Sequence, residues 1–394
     1  MKILCTGDLH IGRRSSKVLD EQEARRQSPA AVWEAIVAWA IEHDVDLVTL
    51  TGDVVDRENR YFEALGPLER GLLRLTAAGI DVVAVSGNHD FDVLPRLVDV
   101  LPSERFHLLG RGGTWEERTI SRGAHQLRVQ GWSFPTEHHA ESPLAGYASL
   151  GASSSTNTTP AIVLLHADLD TPTSRYAPVM RRELAALPVA ACLLGHVHRP
   201  LYEPSDHGPA LLYPGSPQAL DPGEMGVHGP WLLELEGTRL HRATQIPLSR
   251  MRYEELTVDV AGMTELAEVQ TLLGTAVRDV LAETATSAGA LELLSLRLKL
   301  CGRTPLHHCL PRDLAGQLEE FAPTRDKVRA QVEKLAFETR PAVDYHELAR
   351  GADAPGMLAR LILDLEANQG NAELERLAST ASRHLSDLHY AAAF

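Results

Sequence analysis

Five short apolar runs set the pattern of this chain, and each stops at glycine or at a residue able to bind metal. Lys2–Thr6 leads into Gly7-Asp8-Leu9-His10, Leu47–Thr51 into Gly52-Asp53, and Val82–Ser86 into Gly87-Asn88-His89-Asp90. Ala161–Leu165 ends at His166, and Ala190–Leu194 ends at Gly195-His196-Val197-His198. Such short apolar runs bounded by glycine predict buried strands of a largely parallel sheet. Between the first two runs Val32, Ile36 and Ala40 recur at helical spacing, and Leu65, Leu68, Leu72 and Leu75 do so between the next two. Strand–helix alternation over the first 120 residues or so predicts an α/β fold.

Further β-like runs follow at Gln126–Trp132, Ala210–Tyr213, Pro230–Glu236 and Arg239–Ile246. The Pro and Gly residues around the later ones predict hairpins, and Ser153–Thr159 reads as a polar loop. Near Ser249 the pattern changes. Leu256, Val258 and Val260 alternate with polar residues, a helical pattern covers 263–283, and Leu294, Leu296, Leu298 and Leu300 alternate again. Strand, helix, strand with one-sided strands predicts a small α+β unit. From Pro311 onward the sequence predicts helices over 311–321, 325–338, 345–367 and 371–390. The expected organisation is therefore an α/β domain over 1–249, an α+β unit over 250–340, and a helical tail over 341–394.

At 394 residues the chain is long enough for two or three domains. A hydrophobic content of 44% with 23% charged residues is ordinary for a globular protein. No apolar stretch reaches the about eighteen residues needed to span a bilayer, so no membrane partner is expected. The first strand starts directly after Met1, which predicts no signal peptide and a cytoplasmic protein. Cys5 and Cys192 lie inside apolar strands, and the four cysteines show no framework spacing, so reduced thiols are expected. The net charge of −15, with 22 acids against 15 bases from Met251 onward, excludes binding of a polyanion by bulk charge. Any such attraction has to be local, from metal ions and a few arginines, or supplied by a partner.

Ligands of parallel sheets gather beyond the carboxyl ends of the strands. Asp8, His10, Asp53, Asn88, His166, His196 and His198 would thus converge on one edge as a two-metal site. Mixed imidazole, carboxylate and carbonyl donors suit divalent Mn, Fe or Zn better than Mg or Ca. Two such ions roughly 3.5–4 Å apart activate water and clamp phosphoryl oxygens for in-line displacement. His89 is the natural extra group, to protonate the leaving oxygen or stabilise charge there. Asp90 reads either as orienting a histidine or as capping a helix that starts near Val93. Arg13, Arg14 and Lys17, and Arg57 and Arg60, are placed to reach phosphates, although Asp20, Glu21 and Glu23 beside the first group read equally as a solvated loop. Ser216 sits in a Pro-Gly-Ser-Pro turn. His138 and His139 read as surface, and Cys301, His307, His308 and Cys309 lack the spacing of a zinc site.

Taken together, Asp8-Leu9-His10, Gly52-Asp53, Gly87-Asn88-His89-Asp90, His166 and Gly195-His196-Val197-His198 resemble the signature of the calcineurin-like metallophosphoesterases. The resemblance implies a two-sheet sandwich flanked by helices. It implies one metal held by Asp8, His10, Asp53 and His198, a second held by Asp53, Asn88, His166 and His196, and a catalytic His89. Gly52-Asp53-Val54-Val55-Asp56-Arg57, Tyr176-Ala177-Pro178 and Tyr213-Pro214-Gly215-Ser216-Pro217 further resemble SbcD-type DNA repair nucleases and their YhaO-like relatives, with the α+β unit in the place of that family's capping domain. This implies a Mn2+-dependent exo- or endonuclease acting on DNA, with Ser216 in a loop beside the site. It also implies a homodimer working with a coiled-coil ATPase of the SbcC/YhaN type. Two rivals are an enzyme on small phosphoesters or phosphoproteins and a non-catalytic scaffold; the intact ligand set disfavours the scaffold.

Overall fold

The computed structural model describes residues 1–13, 25–56, 61–101, 104–150, 159–287, 289–318, 320–342, 344–367, 376 and 379–380. The first part runs β1 (Lys2–Thr6), α1 (Pro29–Glu42), β2 (Leu47–Leu50), α2 (Tyr61–Ala77), β3 (Asp81–Ala84), α3 (Val93–Val100) and β4 (Phe106–Leu108). It continues through β5 (Trp115–Arg122), β6 (His125–Trp132), β7 (Ala161–His166), β8 (Ala191–Gly195), β9 (Leu201–Glu203), β10 (Ala210–Tyr213), β11 (Trp231–Glu236) and β12 (Arg239–Gln245). The remainder comprises β13 (Met251–Asp259), α4 (Leu266–Thr286), β14 (Leu293–Thr304), β15 (Thr324–Arg325), β16 (Val328–Pro341) and α5 (Ala354–Glu366).

Two six-stranded sheets form the α/β sandwich, in the orders β12-β11-β1-β2-β3-β4 and β5-β6-β7-β8-β10-β9. In the first, β1, β2, β3 and β4 are parallel, and β11 joins β1 antiparallel. In the second, β6, β7, β8 and β10 are parallel, with β5 and β9 antiparallel at the edges. Alternation along each strand sorts the side chains. Ile3, Cys5 and Val83 of the first sheet pack against Val129, Ile162, Leu164 and Leu193 of the second. Leu4, Val48 and Val82 face the other way, onto α1 and α2. Strands buried on both faces explain the continuous apolar runs. Burial pushes the Cys5 and Cys192 thiols up to about 12, so both stay protonated packing groups.

The helices follow from local signals. Ser28 caps α1, its hydroxyl accepting from the Ala31 amide at 3.2 Å, and Pro29 opens the first turn. α1 buries Val32, Trp33, Ile36, Val37 and Ala40, and α2 buries Ala64, Leu68, Leu72 and Leu75. Where they meet, the Trp33 indole donates to the Pro67 carbonyl at 3.1 Å and lies on Gly71.

By packing, the chain divides into two compact units. One comprises 1–256, 275–298 and 316–335; the other comprises 257–274, 299–315 and 336–394. Strands β13, β14, β16 and β15 form a third sheet in that order. The helix expected over 325–338 is instead strand β16. Its sequence is rich in helix formers (Ala330, Gln331, Glu333, Lys334, Leu335), yet Val328, Ala330 and Val332 alternate inward, and sheet pairing overrides local propensity. The helix expected over 311–321 shortens to one turn at Leu310–Asp313. The 345–367 expectation resolves into a turn at Tyr345–Leu348 and α5, whereas 371–390 lies almost wholly outside the described residues. Strands β4, β5 and β9 carried no readable signal; in β5 only Trp115 and Ile120 are buried. Among the described residues no helix is long and apolar enough to cross a membrane.

Gly71→Ala distinguishes packing from propensity. In an open helix it would stabilise by roughly 1 kcal/mol. Here the added Cβ would lie 2.3 Å from Trp33 Nε1. Thermal denaturation should therefore show a destabilisation of about 1–3 kcal/mol; a variant as stable as the parent contradicts this packing.

Candidate metal centre

Six of the seven predicted donors lie beyond the carboxyl ends of β1, β2, β3 and β8, in loops that the sheets continue to register by hydrogen bonds, and His166 is the last residue of β7. Asp8 N donates to Gly52 O at 3.0 Å and His10 N to Asp53 O at 2.9 Å. Asp8, His10 and Asp53 take left-handed backbone angles, with φ of 48°, 49° and 48°, and His196 has φ 95°. Non-glycine residues held there are strained, a condition that clusters at functional sites. Two glycines are required by space. A Cβ on Gly87 would stand 2.2 Å from Asp53 Oδ1, and one on Gly52, itself at φ +98°, would stand 2.6 Å from His166 Nδ1.

The donor atoms fall into two groups. His10 Nε2 and His198 Nε2 are 3.0 Å apart, and Asp8 completes a cluster with them in which the donor atoms all lie within 4.8 Å. Asn88 Oδ1 lies 3.1 Å from His166 Nε2 and 3.2 Å from His196 Nδ1. Asp53 Oδ2 stands between the groups, 3.8 Å from His10 Nε2 and 3.3 Å from His166 Nε2. Donors bound at about 2.1 Å to one ion at right angles stand about 3 Å apart. Spacing and donor chemistry therefore fit a pair of borderline divalent ions sharing Asp53.

Each of the four candidate ligand imidazoles has an oxygen behind its second nitrogen. His10 Nδ1 meets Asp56 at 3.2 Å, His166 Nδ1 meets the Thr51 carbonyl at 3.1 Å, His196 Nε2 meets Asp168 at 3.4 Å, and His198 Nδ1 meets Glu224 at 2.7 Å. These oxygens fix ring orientation. Sequence reading missed Asp56, Asp168 and Glu224. Only Asp56 carried a clue, three residues beyond Asp53. Asp168 also receives the Ser174 hydroxyl, and Tyr176 of the Tyr-Ala-Pro segment packs on the His196 ring at 4.8 Å.

His89 differs from the ligands. Its amide donates to Asp53 Oδ1 at 2.8 Å, its ring meets the His10 ring edge-on at 4.8 Å, and its side chain shares the open rim with His196 and His198, whereas His10 and His166 are buried. Its Nδ1 is buried without a hydrogen-bond partner, 3.6 Å from Asp56.

Asp90 takes neither role expected of it. Fully buried, it accepts from the amides of Val54 (2.7 Å), Val55 (3.3 Å) and Gly87 (2.7 Å), joining the Asp53 loop to the Asn88 loop. The N-cap of α3 is Asp92, without a side-chain hydrogen bond. Ser216 is likewise fully buried: its hydroxyl donates to Glu224 at 2.8 Å and meets His228 Nδ1 at 3.2 Å, so it supports the acid behind His198 rather than facing a substrate. The Glu224 loop is itself pinned, Gly226 N donating to Tyr253 O at 3.1 Å. Arg13 is half-buried beside His10, to whose carbonyl its amide donates at 3.0 Å; Arg57, Arg60, Arg14 and Lys17 lie outside the described residues. His138 is exposed as expected, whereas His139 exchanges backbone hydrogen bonds with Arg175 and Ala177 at 2.7 Å.

The electrostatics reflect dense charge in a buried space. Burial opposes the charge on His166, but Asp53 outweighs it and lifts the imidazole to about 9. Burial, then the His166 charge, depresses His196 to about 4. Burial also opposes charge on His198 and on Glu224, yet their mutual hydrogen bond raises the first and lowers the second. Asp53, though buried, is held well below the carboxylate range by His166. Burial and then the Asp53 charge push Asp90 up to about 7 against its three amide donors.

Residues 1–200 match the calcineurin-like phosphoesterase family, over half of the chain. The chain belongs to that family. Residues 253–340 match a second family, the middle domain of metallophosphoesterase YhaO. This calcineurin-like phosphoesterase is 26% identical over 317 residues to an uncharacterized metallophosphoesterase YhaO of Bacillus subtilis, covering 80% of this chain and 74% of the relative. It is also 32% identical over 113 residues to the DNA double-strand break repair protein Mre11 of Methanosarcina mazei, covering 29% of this chain and 17% of that one. Among solved structures it aligns with the calcineurin-like phosphoesterase YfkN of Bacillus subtilis at 13% identity, covering 72% of this chain and 98% of that one, with a TM-score of 0.38.

Two outcomes are expected. His166 carries a proton below about pH 9 in the metal-free protein and must lose it to bind metal, so affinity should fall as pH drops below that value and loading at neutral pH should release protons. Titration calorimetry in buffers of different ionisation heat reads this directly; heats independent of buffer would contradict it. Glu224→Ala should weaken metal binding about 10–100-fold with the fold retained, measured by competition with a chelating dye; unchanged affinity would remove Glu224 from the site's support.

Proposed function

We propose that this calcineurin-like phosphoesterase is a phosphodiesterase acting on DNA, dependent on two divalent ions, with Mn2+ as the expected metal. The observation that carries the reading is the convergence of seven donor side chains in two groups around Asp53, with His89 at the accessible rim. Bound there, the ions would supply Lewis-acid polarisation of the phosphoryl oxygens and acidification of water.

The chain's own groups do the rest. Asp8, His10, Asp53 and His198 bind on one side, and Asp53, Asn88, His166 and His196 on the other. His89 holds a proton within reach of the leaving oxygen and returns it as the ester bond breaks. Asp56 lies 3.6 Å from His89 Nδ1. The tight, buried core of the site leaves only His89, His196 and His198 open, which directs a phosphodiester to that rim.

DNA as substrate is supported by the likeness to a relative named for DNA break repair. The motif resemblance to SbcD- and YhaO-type nucleases supports action in the cytoplasm, as a homodimer, with a coiled-coil ATPase of the SbcC/YhaN type.

The test is cleavage of single- and double-stranded DNA beside hydrolysis of bis-p-nitrophenyl phosphate at millimolar Mn2+. His89→Asn should retain the parent's metal stoichiometry and lose about 10²–10⁴ in rate. Hydrolysis of the small diester without any DNA cleavage would replace this reading with one on small phosphoesters, and a near-parental rate in the variant would dismiss the role of His89.

A further inference from the structure

Outside the metal centre, the flank of the first sheet carries a concentration of positive charge that stands out against a chain of net charge −15. A cleft of about 500 Å³ is lined by Arg25, Arg26, Ala31, Glu34, Ala35, Arg74 and Arg250. Its floor is the small-residue face of α1, where Ala31 and Ala35 leave room, and its walls come from the chain before α1, the end of α2 and the start of β13.

The pairing within it leaves an excess of positive charge. Arg26 and Arg250 share one carboxylate, Glu292, at 2.9 and 3.1 Å, and Arg70 engages Glu34 at 3.1 Å. Counting these partners, five guanidinium groups face two carboxylates. Arg25 and Arg74 are exposed, and no ion pair engages either among the described residues. Arg250 is fixed from behind, its carbonyl receiving the amides of Glu292 and Leu293 at 2.9 and 3.0 Å. Its guanidinium is held by Glu292, and one held in place loses less freedom on binding than a free one. Surface guanidinium groups are normally diluted by acids in so acidic a protein; here they line one open trough.

We infer that this cleft binds the phosphate backbone of duplex DNA, apart from the metal centre, through Arg25, Arg26, Arg74 and Arg250. The inference rests on the reading of DNA as substrate. Planar guanidinium forks match phosphate geometry, and a row of them contacts successive phosphates without reading bases. It supplies the local attraction that the overall charge denies, and it holds the polymer while the metal centre acts on one ester.

The test compares the full-length parent with Arg25→Glu/Arg74→Glu, which changes two exposed groups that no ion pair engages among the described residues. Arg242→Ala, on exposed β12 of the same unit, serves as control. Binding of a fluorescent duplex is measured by anisotropy in chelator across a salt series, and hydrolysis of bis-p-nitrophenyl phosphate is measured with Mn2+. The double variant should bind duplex at least about tenfold more weakly, with the salt slope reduced by about 1.8 for two lost phosphate contacts. Its small-diester rate should equal the parent's. Unchanged duplex affinity and slope in the double variant, equal losses in the control, or a parent that binds no duplex would each overturn the cleft. A parent that binds duplex in chelator but never cleaves it with metal would instead overturn the nuclease reading; the binding comparison would still decide the cleft.

Discussion

The site depends first on a carboxylate that touches no ligand atom of its own. Asp90 lies in the dry interior and spends its oxygens on amides of two different loops, those carrying Asp53 and Asn88. Charge-assisted hydrogen bonds in such surroundings are strong when satisfied and costly when broken. The distance between two parallel strand ends is thereby converted into a fixed distance between two donors. Backbone hydrogen bonds from Asp8 and His10 to the Asp53 loop extend the same arrangement to a third strand end.

Around that frame the imidazoles divide their two nitrogens between an inner and an outer task. Each inner nitrogen points at a neighbouring donor at about the spacing one ion imposes; each outer nitrogen rests on an oxygen drawn from another part of the chain. Three of those oxygens belong to acids, so the charge required to hold dications is spread beyond Asp8 and Asp53. The arginine-lined cleft beside α1 is the opposite case, a local excess of positive charge on a strongly negative chain.

The candidate ligands were legible because they obey a one-dimensional rule: an apolar run, then the donor, with a glycine between them in every run but the one ending at His166. The sheets place them at or just beyond the strand ends, and β1, β2, β3, β7 and β8 came out of the pattern with little loss. The acids behind the histidines follow no such rule. Glu224 lies 26 residues along the chain from His198, with β9 and β10 between them, and Asp56 lies 46 from His10; their contacts exist only after folding. Asp90 and Ser216 stand out in the motifs, but what each touches does not, since burial decides it and burial is invisible in a motif. β16 failed for the opposite reason, because its composition favours a helix and only the partner strands make it extended.

The left-handed backbone at Asp8, His10, Asp53 and His196 has an evolutionary corollary. Aspartate, asparagine and histidine are the side chains, glycine aside, that tolerate this conformation best, and they are also oxygen and nitrogen donors. Glutamate or cysteine could serve a cation equally well in principle, yet each would incur a conformational penalty on the order of 1–2 kcal/mol at every such turn. The alphabet open to these positions is consequently narrower than coordination chemistry alone dictates, and drift there is constrained by main-chain shape as well as by the loss of an ion.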